Sequence, residues 1–186
     1  MAAHQQDEKD LIQQAKSGDK SAFGKLFDMY FTPIYRYLRL RCGNEQDAED
    51  LSAEVFMRAW EKLPGFDLRA GDSMFRSWLF RIAHNLLIDR YRKGDKEESV
   101  AEIPEKISKE ERVETQIVLK NEKQKLMEAI HQLDERMQQV IIARFISGLS
   151  HIETAEVLGI SSGNVRIVQY RALRRLKEIL RQEHVQ

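Results

Sequence analysis

The chain has 186 residues, 42% of them hydrophobic, and its 30 basic and 30 acidic residues give no net charge. With only three prolines and nine glycines, it is poorly suited to a sandwich or barrel, and the composition predicts an all-α protein. The single cysteine, Cys42, excludes an internal disulfide and is typical of a reducing compartment. No apolar run approaches membrane-spanning length, and the polar N-terminus resembles neither a signal nor a transit peptide, so we expect a cytoplasmic protein without membrane insertion.

The zero net charge hides a segregation of charge along the chain. Residues 45–54 contain five acids and no base, whereas residues 76–93 contain five bases and one acid. Residues 95–114 are acidic again, with eight acids and four bases. Blocks of this kind indicate separate surfaces for separate partners.

The first part of the chain has the apolar periodicity of helices. A short helix over 8–16 is followed by Gly18, and Asp19 is a suitable N-cap for a second helix. We expect Pro33 to end or kink that helix, because proline lacks the amide donor and clashes with the preceding turn. Helical periodicity then continues to Gly43.

Two further helices follow. Asn44 is placed to cap a third helix over 45–63, and the acids in its first turn suit the positive end of the helix dipole. A loop over 66–73 precedes a fourth helix over 74–93, for which Ser73 is the candidate cap.

The composition then changes over residues 94–115, which are acidic and poor in large apolar residues and predict a flexible linker. Helical periodicity resumes beyond it, and Asp134 is placed to cap a helix that ends at Gly148. The apolar positions of that helix are Met137, Val140, Ile141 and Phe145. We therefore predict two small helical domains, over 7–93 and 116–182.

The last part of the chain has the pattern of two helices joined by a tight turn. Ser150 and Glu153 have the spacing of a capping box, and Gly159 can adopt the positive φ of a helix end. Either of the next serines, Ser161 or Ser162, can cap the second helix. The buried side of the first helix is predicted to consist of Ile152, Ala155, Val157 and Leu158.

The second of these helices is both amphipathic and basic. Its apolar stripe is formed by Val165, Val168, Ala172, Leu176 and Ile179. Its basic residues are Arg166, Arg171, Arg174, Arg175, Lys177 and Arg181. A short helix, a glycine turn and a longer basic helix are typical of a helix-turn-helix that places its second helix in the DNA major groove. The alternative is an amphipathic hairpin with a solvated basic face; the turn spacing, the caps and the charge bias favour DNA.

The predicted helix over 74–93 interleaves aromatic and basic side chains. Binding of single-stranded DNA needs stacking platforms, phosphate partners and a polar group such as the Asn85 amide to read a base edge. Aromatic residues at helical spacing are more often core residues. We assign Phe75 and Tyr91 to the core and leave both possibilities open for Trp78 and Phe80.

The sequence contains no pattern typical of a catalytic site. It has no phosphate-binding glycine loop and no nucleophile elbow, and its five histidines lie far apart. The carboxylates Asp47, Glu49, Asp50 and Glu54 spread round one helix without a loop that could close a cation site. We therefore expect no catalytic activity, no metal and no cofactor.

Two stretches together resemble one protein family. DAEDLSAEVFMRAWEKL (47–63) and FRSWLFRIAHNLLIDRYRK (75–93) are similar to parts of region two of the extracytoplasmic-function sigma factors, group four of the sigma-70 superfamily. Residues 134–180 are similar to region four. The resemblance covers nearly the whole chain, and its motifs are specific in order and spacing. It implies a region-two bundle and a region-four helix-turn-helix joined by the acidic linker.

The resemblance implies a protein that binds core RNA polymerase, directs it to promoter DNA and helps to open the duplex. The acidic helix matches the stretch that docks on the clamp helices of the largest polymerase subunit. The residues that would make this contact are Asp47, Asp50, Glu54, Arg58 and Trp60.

The fourth helix matches the reader of the minus-ten element. Asn85 aligns with a residue that helps to read a flipped base, and loop 66–73 matches the loop that captures it. The residues implied in minus-ten binding are Arg76, Trp78, Arg81, Asn85, Arg90, Arg92 and Lys93.

The helix-turn-helix matches the reader of the minus-thirty-five element. The residues implied there are Ser162, Asn164, Arg166, Ile167, Tyr170, Arg171, Arg174 and Arg175. Val168 departs from the family, which often has a basic residue at that position, so a base preference does not carry over.

Family habit also implies an inhibitory anti-sigma partner, and a location in the bacterial cytoplasm with nucleoid association when polymerase is bound. A second interpretation remains open. In it, the chain is a stand-alone transcriptional regulator that binds duplex DNA as a dimer through 150–181, with 7–93 as a sensor domain.

Overall fold

The computed structural model describes residues 2–42, 44–67, 74–92 and 113–183, with side chains for 7–42, 44–67, 74–92 and 122–182. Within these ranges the regular structure is helical, and no strand is present, which confirms the all-α prediction. The α-helices are α1 (Ala2–Lys16), α2 (Lys20–Arg39), α3 (Glu45–Lys62), α4 (Met74–Arg92), α5 (Val113–His131), α6 (Glu135–Ile141), α7 (His151–Leu158) and α8 (Ser162–Glu183). None of these helices combines the length and the hydropathy needed to cross a membrane.

Several predicted features fall outside the described residues. These are Lys93, residues 94–112 of the predicted linker, the candidate cap Ser73 and most of loop 66–73. Helix α5 begins at Val113, within the predicted linker. The domain boundaries at 93 and 116 stay predictions.

The predicted helix caps are present where the structure describes the capping residue. Asp19, Asn44 and Asp134 each accept a hydrogen bond from a first-turn backbone amide, at 2.8, 2.8 and 2.9 Å respectively. Of the two candidate serines, Ser161 caps α8 by accepting from the amide of Asn164 at 3.1 Å. Each such cap stabilises its helix by about 1 kcal/mol.

Helix α2 continues through Pro33, where the sequence predicted an end or a kink. Proline inside a helix costs about 3 kcal/mol because its nitrogen cannot donate to the preceding turn. Immediately beyond it, Ile34, Tyr37 and Leu38 are completely buried. Burying three large side chains contributes more than the proline costs, so tertiary packing keeps the helix continuous.

One hydrophobic core holds α1 to α4 together and gives α4 a fixed orientation. Its completely buried side chains on α4 include Leu79 and Phe80, which assigns Phe80 to the core. The Phe80 ring meets Tyr37 of α2 edge to face, with ring centroids 5.4 Å apart. Trp78 is only half-buried and packs against this core, with its ring centroid 5.6 Å from that of Phe75.

The second half of the chain adds to this same core. Ile142, Leu149 and Val157 are buried against residues of the first four helices, because α7 packs on α4. A second core lies between α5, α6 and α8 and contains Ala129, Ile130, Leu133, Ile141, Ala172, Leu176 and Ile179. This confirms most of the predicted α8 stripe; Val165 lies in a third, small cluster, where Val168 is half-buried.

Two apolar residues predicted to be buried are exposed. Ile152 is 65% exposed, because the side of α7 that meets its neighbours carries Glu153, Thr154 and Val157 instead. Tyr91 is 51% exposed, at the end of α4, where its hydroxyl donates to the carbonyl of Arg41.

Phe145, which the sequence placed in the apolar pattern of its helix, is 54% exposed. After α6 the chain forms a π-helical segment, Ile142–Ile146, in which the Ser147 amide donates to the Ile142 carbonyl at 2.9 Å. A π turn holds more residues than an α turn, so it rotates the following side chains away from the α-helical register.

A chain of hydrogen bonds in the core links α2 and the residue Arg41 that follows it to α4. Arg41 Nη1 donates to the Tyr37 hydroxyl at 3.2 Å, and that hydroxyl lies 3.0 Å from His84 Nδ1. Nδ1 can accept this bond only while it is unprotonated. Burial, and secondly the Arg41 charge, lower the pKa of His84 from 6.5 to about 4.

We predict that this histidine makes the protein less stable in mild acid. The unfolded chain takes up a proton at His84 near pH 6.5, and the folded protein only near pH 4. The stability present above pH 6.5 is therefore lost as the pH falls through this window, by up to about 1.4 kcal/mol per pH unit. Urea unfolding of the protein and of His84→Gln at several pH values measures this effect.

The variant is the control for the parent protein, because glutamine does not titrate. We expect His84→Gln to be less stable than the parent protein near neutral pH, and the gap between them to narrow on acidification. A gap that stays constant with pH would contradict the assignment of a neutral buried imidazole.

Candidate nucleic-acid interface

Helix α3 presents an acidic face to solvent. Asp50 is exposed and accepts a hydrogen bond from Gln46 Nε2 at 3.2 Å. One turn further on, Glu54 pairs with Arg58 at 2.6 Å, and both side chains remain 38% exposed. Arg58 thus partly neutralises one of the acids with which the sequence analysis grouped it.

The remaining two residues of that set are less accessible. The Trp60 ring is half-buried against Phe23, edge to face, with centroids 4.9 Å apart. Asp47 forms an ion pair with Arg90 of α4. This pair joins a residue predicted to face polymerase to one predicted to face DNA, so each partner already has a counterion within the fold.

On α4, the residues predicted to bind DNA divide into two groups. Arg81, Asn85 and Arg92 are exposed. Because α-helical residues four apart are neighbours on one face, Arg81 and Asn85 form a continuous exposed row. Arg76 lies apart from this row: its guanidinium sits over the Phe80 ring and donates to the carbonyls of Ser147 and Gly148.

A cavity of about 330 Å³ opens beside this row. Its walls are Gly65, Phe66, Asp67, Met74, Ser77, Trp78, Arg81 and Glu156. Two aromatic rings form one side, with the centroids of Phe66 and Trp78 4.9 Å apart. Aromatic rings, a cation and a hydroxyl around a space of this size suit a flat, polar-edged ring.

Four wall residues of this cavity lie outside the set predicted from the sequence, namely Gly65, Met74, Ser77 and Glu156, whereas Phe66 was included only as part of loop 66–73. Phe66 directly follows the turn that ends α3, and its carbonyl accepts a hydrogen bond from Lys16. Ser77 donates to Glu156 Oε2 at 2.5 Å, across 79 positions of sequence. An aromatic residue after a Pro-Gly turn could have drawn attention to Phe66, but no local signal links Ser77 to Glu156.

The helix-turn-helix forms as the sequence predicts. Ser150 and Glu153 exchange the two bonds of a capping box, at 3.1 and 2.7 Å. Gly159 has φ of +63°, the left-handed conformation that a side chain would strain. Arg144 Nε donates to Gln169 Oε1 at 3.0 Å and ties α8 to the preceding segment.

Helix α8 exposes all the residues predicted to bind the minus-thirty-five element, namely Ser162, Asn164, Arg166, Ile167, Tyr170, Arg171, Arg174 and Arg175. Tyr170 is 69% exposed, so an aromatic side chain stands among the cations. Glu178 lies 3.6 Å from Arg174 and 3.4 Å from Arg175, which lowers the free positive charge at that end. Nearer the start of α8, Arg166 and Arg171 are exposed and lie outside these two ion pairs.

Two family models match the chain, one over the first helices and one over the last. Residues 26–97 match sigma-70 region 2, which includes α3, α4 and every wall residue of the cavity except Glu156. Residues 129–178 match sigma-70 region 4, which includes the helix-turn-helix.

Whole proteins of the same kind are similar to the chain. BldN, an extracytoplasmic-function RNA polymerase sigma factor of Streptomyces coelicolor, is 34% identical over 92% of this chain, which spans 65% of BldN. SigW, an extracytoplasmic-function sigma factor of Bacillus subtilis, is 31% identical over 93% of this chain and 96% of its own length.

A solved structure, that of CnrH in complex with the cytosolic domain of CnrY, is also similar. It is 28% identical and has a TM-score of 0.71 over 95% of this chain and 98% of CnrH. Both sigma-70 regions are matched in order, and SigW is similar along nearly its whole length. The chain therefore belongs to the extracytoplasmic-function RNA polymerase sigma factors, which are alternative sigma factors.

Proposed function

We propose that this alternative sigma factor binds polymerase and promoter DNA through three separate surfaces. The exposed acids of α3 bind core RNA polymerase, α4 and its cavity hold an unpaired minus-ten strand, and the start of α8 contacts the minus-thirty-five duplex. The observation that carries the proposal is the aromatic-walled cavity next to the exposed row of Arg81 and Asn85. A stand-alone dimeric regulator, the other interpretation of the sequence, has no need of two sigma regions in this order.

The polymerase surface follows from the charges that remain available on α3. Asp47 is paired with Arg90 of the neighbouring helix and is the less exposed acid, whereas Asp50 is exposed and Glu54, although paired with Arg58 on the same helix, remains 38% exposed. Asp50 and Glu54 are therefore the acids of the predicted docking set that a basic partner helix can reach. Paired charges across an interface chiefly set its specificity and association rate. The clamp helices of the largest polymerase subunit are the partner that the family resemblance implies.

We predict that the double variant Asp50→Lys/Glu54→Lys binds core polymerase at least about tenfold more weakly, because it places two cations opposite a basic partner surface. Titration of labelled protein with core polymerase measures the affinity. Glu122→Lys/Glu128→Lys makes the same charge change at exposed positions of α5 and is the control. Equal affinity of the two double variants would count against the α3 surface.

The strand-binding surface combines stacking, charge and an amide. Flipping a base out of the duplex costs a few kcal/mol of stacking and pairing free energy, and binding of the base in a preformed pocket can offset this cost. Trp78 and Phe66 offer ring faces, Arg81 offers a cation for the strand phosphates, and Asn85 lies one turn further along α4. Arg92 and Lys93 would extend the phosphate track, whereas Arg90 needs to leave Asp47 to take part.

We predict that Asn85→Ala impairs promoter opening about tenfold and leaves core binding unchanged, because a side-chain amide on a base edge contributes about 1–3 kcal/mol. The promoter can be chosen by sequencing transcripts made in vitro with core polymerase, and opening followed by permanganate reactivity of unpaired thymines. Gln132→Ala removes an exposed amide elsewhere and is the matched control. A larger effect on core binding than on opening would refute the assigned role.

The duplex-binding surface is the start of α8. Arg166 and Arg171 are exposed there, and no ion pair involves either of them in the described part of the chain. Ile167 and Tyr170 add exposed apolar and aromatic surface for base edges. Val168 packs against the small cluster around Val165, so its side chain supports the helix and is not free for DNA.

We predict that Arg171→Ala weakens duplex binding by the holoenzyme and lowers the salt dependence of that binding by about one phosphate contact. Binding of a minus-thirty-five duplex as a function of salt concentration gives the slope. Arg181→Ala, at the far end of α8, removes the same charge and should leave the slope unchanged. Identical slopes for the two variants would argue that Arg171 does not touch a phosphate.

Other parts of the proposal rest on the family. Regions 7–93 and 116–182 act as separate binding units joined by 94–115, and the polymerase, not this chain, catalyses RNA synthesis. The protein is located in the bacterial cytoplasm and associates with the nucleoid when it is bound to polymerase. CnrH is similar and has been solved bound to the cytosolic domain of CnrY, which supports a regulatory anti-sigma protein as a further partner.

A further inference from the structure

Helix α1 lies outside the stretch that matches sigma-70 region 2, which begins at residue 26, and the proposed function gives it no role. Its residues Glu8, Ile12 and Lys16 are spaced four apart and therefore lie on one face of the helix. Ile12 is buried in the core of the first four helices, and Glu8 and Lys16 are half-buried on either side of it. Both charged side chains of this face contact residues that support the aromatic wall of the cavity.

Lys16 reaches the chain at the point where the cavity wall begins. Its Nζ donates a hydrogen bond to the carbonyl of Phe66, 50 positions further along the chain. The amide of Phe66 donates to the Leu63 carbonyl at 3.0 Å, in the turn that ends α3. The backbone of Phe66 is therefore held on both sides, by the turn through its amide and by α1 through its carbonyl.

Glu8 reaches the same group of rings from the other end of the α1 face. It accepts a hydrogen bond from the Tyr30 hydroxyl at 2.6 Å, and the Tyr30 ring meets Phe75 edge to face, with centroids 5.6 Å apart. The Phe75 centroid lies in turn 5.6 Å from the centroids of both Phe66 and Trp78. Helix α1 thus supports the aromatic wall both through the backbone of Phe66 and through the rings behind it.

The two rings of the cavity wall differ in how they are held. Trp78 stands on helix α4, whereas Phe66 stands on the short segment that connects α3 to α4. A site residue on a connecting segment is placed less precisely than one on a helix, and stacking depends on precise placement. The Lys16 bond gives that segment a fixed point. Because its donor is charged, the bond is stronger than one between neutral groups.

We propose that Lys16 is a positioning residue for strand binding. By holding the Phe66 carbonyl, it keeps the Phe66 ring beside Trp78, where a base of the unpaired minus-ten strand stacks. Lys16 acts through Phe66 and does not itself touch the strand. This proposal rests on the function proposed above, that the cavity binds an unpaired base.

Three variants of the full-length protein test the proposal. Lys16→Met keeps a side chain of similar length and removes the donor, and Lys16→Arg retains a charged donor. Lys25→Met, at an exposed position of α2 outside the cavity wall, removes the same charge and is the matched control. The midpoint of urea unfolding establishes that each variant is folded under the conditions of the assays.

The first readout is the affinity of the holoenzyme for a fluorescent single-stranded oligonucleotide that carries the minus-ten sequence. We expect Lys16→Met to bind it about fivefold more weakly, because a Phe66 ring that is no longer fixed must be ordered when the base stacks. Lys16→Arg and Lys25→Met should bind the strand as the parent protein does, and all three variants should bind core polymerase with unchanged affinity. A contact that only stabilised the fold would leave the strand affinity of the folded protein unchanged.

The second readout reports on the cavity wall without DNA. In a Trp60→Phe background Trp78 is the one remaining tryptophan of the chain, and acrylamide quenching of its fluorescence measures its accessibility. We expect Lys16→Met to raise the quenching constant, because the Phe66 ring no longer stays against the indole. Lys16→Arg and Lys25→Met should leave the quenching constant unchanged.

The outcomes separate this proposal from the function on which it rests. If Lys16→Met behaves like Lys25→Met in both readouts while Asn85→Ala impairs promoter opening, the cavity binds DNA and the positioning role of Lys16 is wrong. The role is also wrong if quenching rises without a loss of strand affinity while Asn85→Ala still impairs opening. If quenching rises and both strand affinity and the opening by Asn85→Ala are unchanged, the cavity is not the strand site, and both proposals fall. A loss of strand affinity in Lys16→Arg as large as that in Lys16→Met would overturn the role of the hydrogen bond.

Discussion

The packing of α4 is the constraint on which the rest of the molecule depends. One side of this helix, with Leu79, Phe80 and Leu87, is completely buried, and that burial fixes its rotation about its own axis. The opposite side must then face solvent, whichever side chains occupy its positions. In this chain those positions carry Arg81 and Asn85, with Trp78 half-buried between the two sides. A polar row is thereby held rigidly next to a cavity, as a site that recognises a flexible strand requires.

The same packing explains how a chain of zero net charge presents two faces of opposite charge. The acids of α3 and the bases of α4 lie on adjacent helices, and the Asp47–Arg90 ion pair links the two charged faces. At about a third exposed, this pair is screened by water and adds little to stability. In the proposed function its greater effect is on recognition, because it removes one acid from the proposed polymerase surface and one base from the proposed strand surface.

The sequence was informative wherever an interaction spans a few residues. The capping box of Ser150 and Glu153 and the turn at Gly159 depend on neighbours in the chain, and both were predicted. The exposed residues of α8 were also predicted, because an apolar stripe defines its own opposite face. Contacts between distant segments could not be predicted. The exposure of Ile152 depends on which side of α7 meets α4, and the bond between Ser77 and Glu156 joins positions that have no local relation.

Arg76 is held by acceptors that a DNA strand would have to replace. Its guanidinium cannot lose its charge and needs acceptors in any conformation that keeps it near the protein surface. The carbonyls of Ser147 and Gly148 supply them here. Phosphate oxygens are stronger acceptors for the same donors. An exchange of one set of acceptors for the other would leave the guanidinium satisfied, but it would require the segment before α7 to separate from α4, at the cost of the buried apolar contacts of Leu149 and Val157 and of the Ser77–Glu156 hydrogen bond.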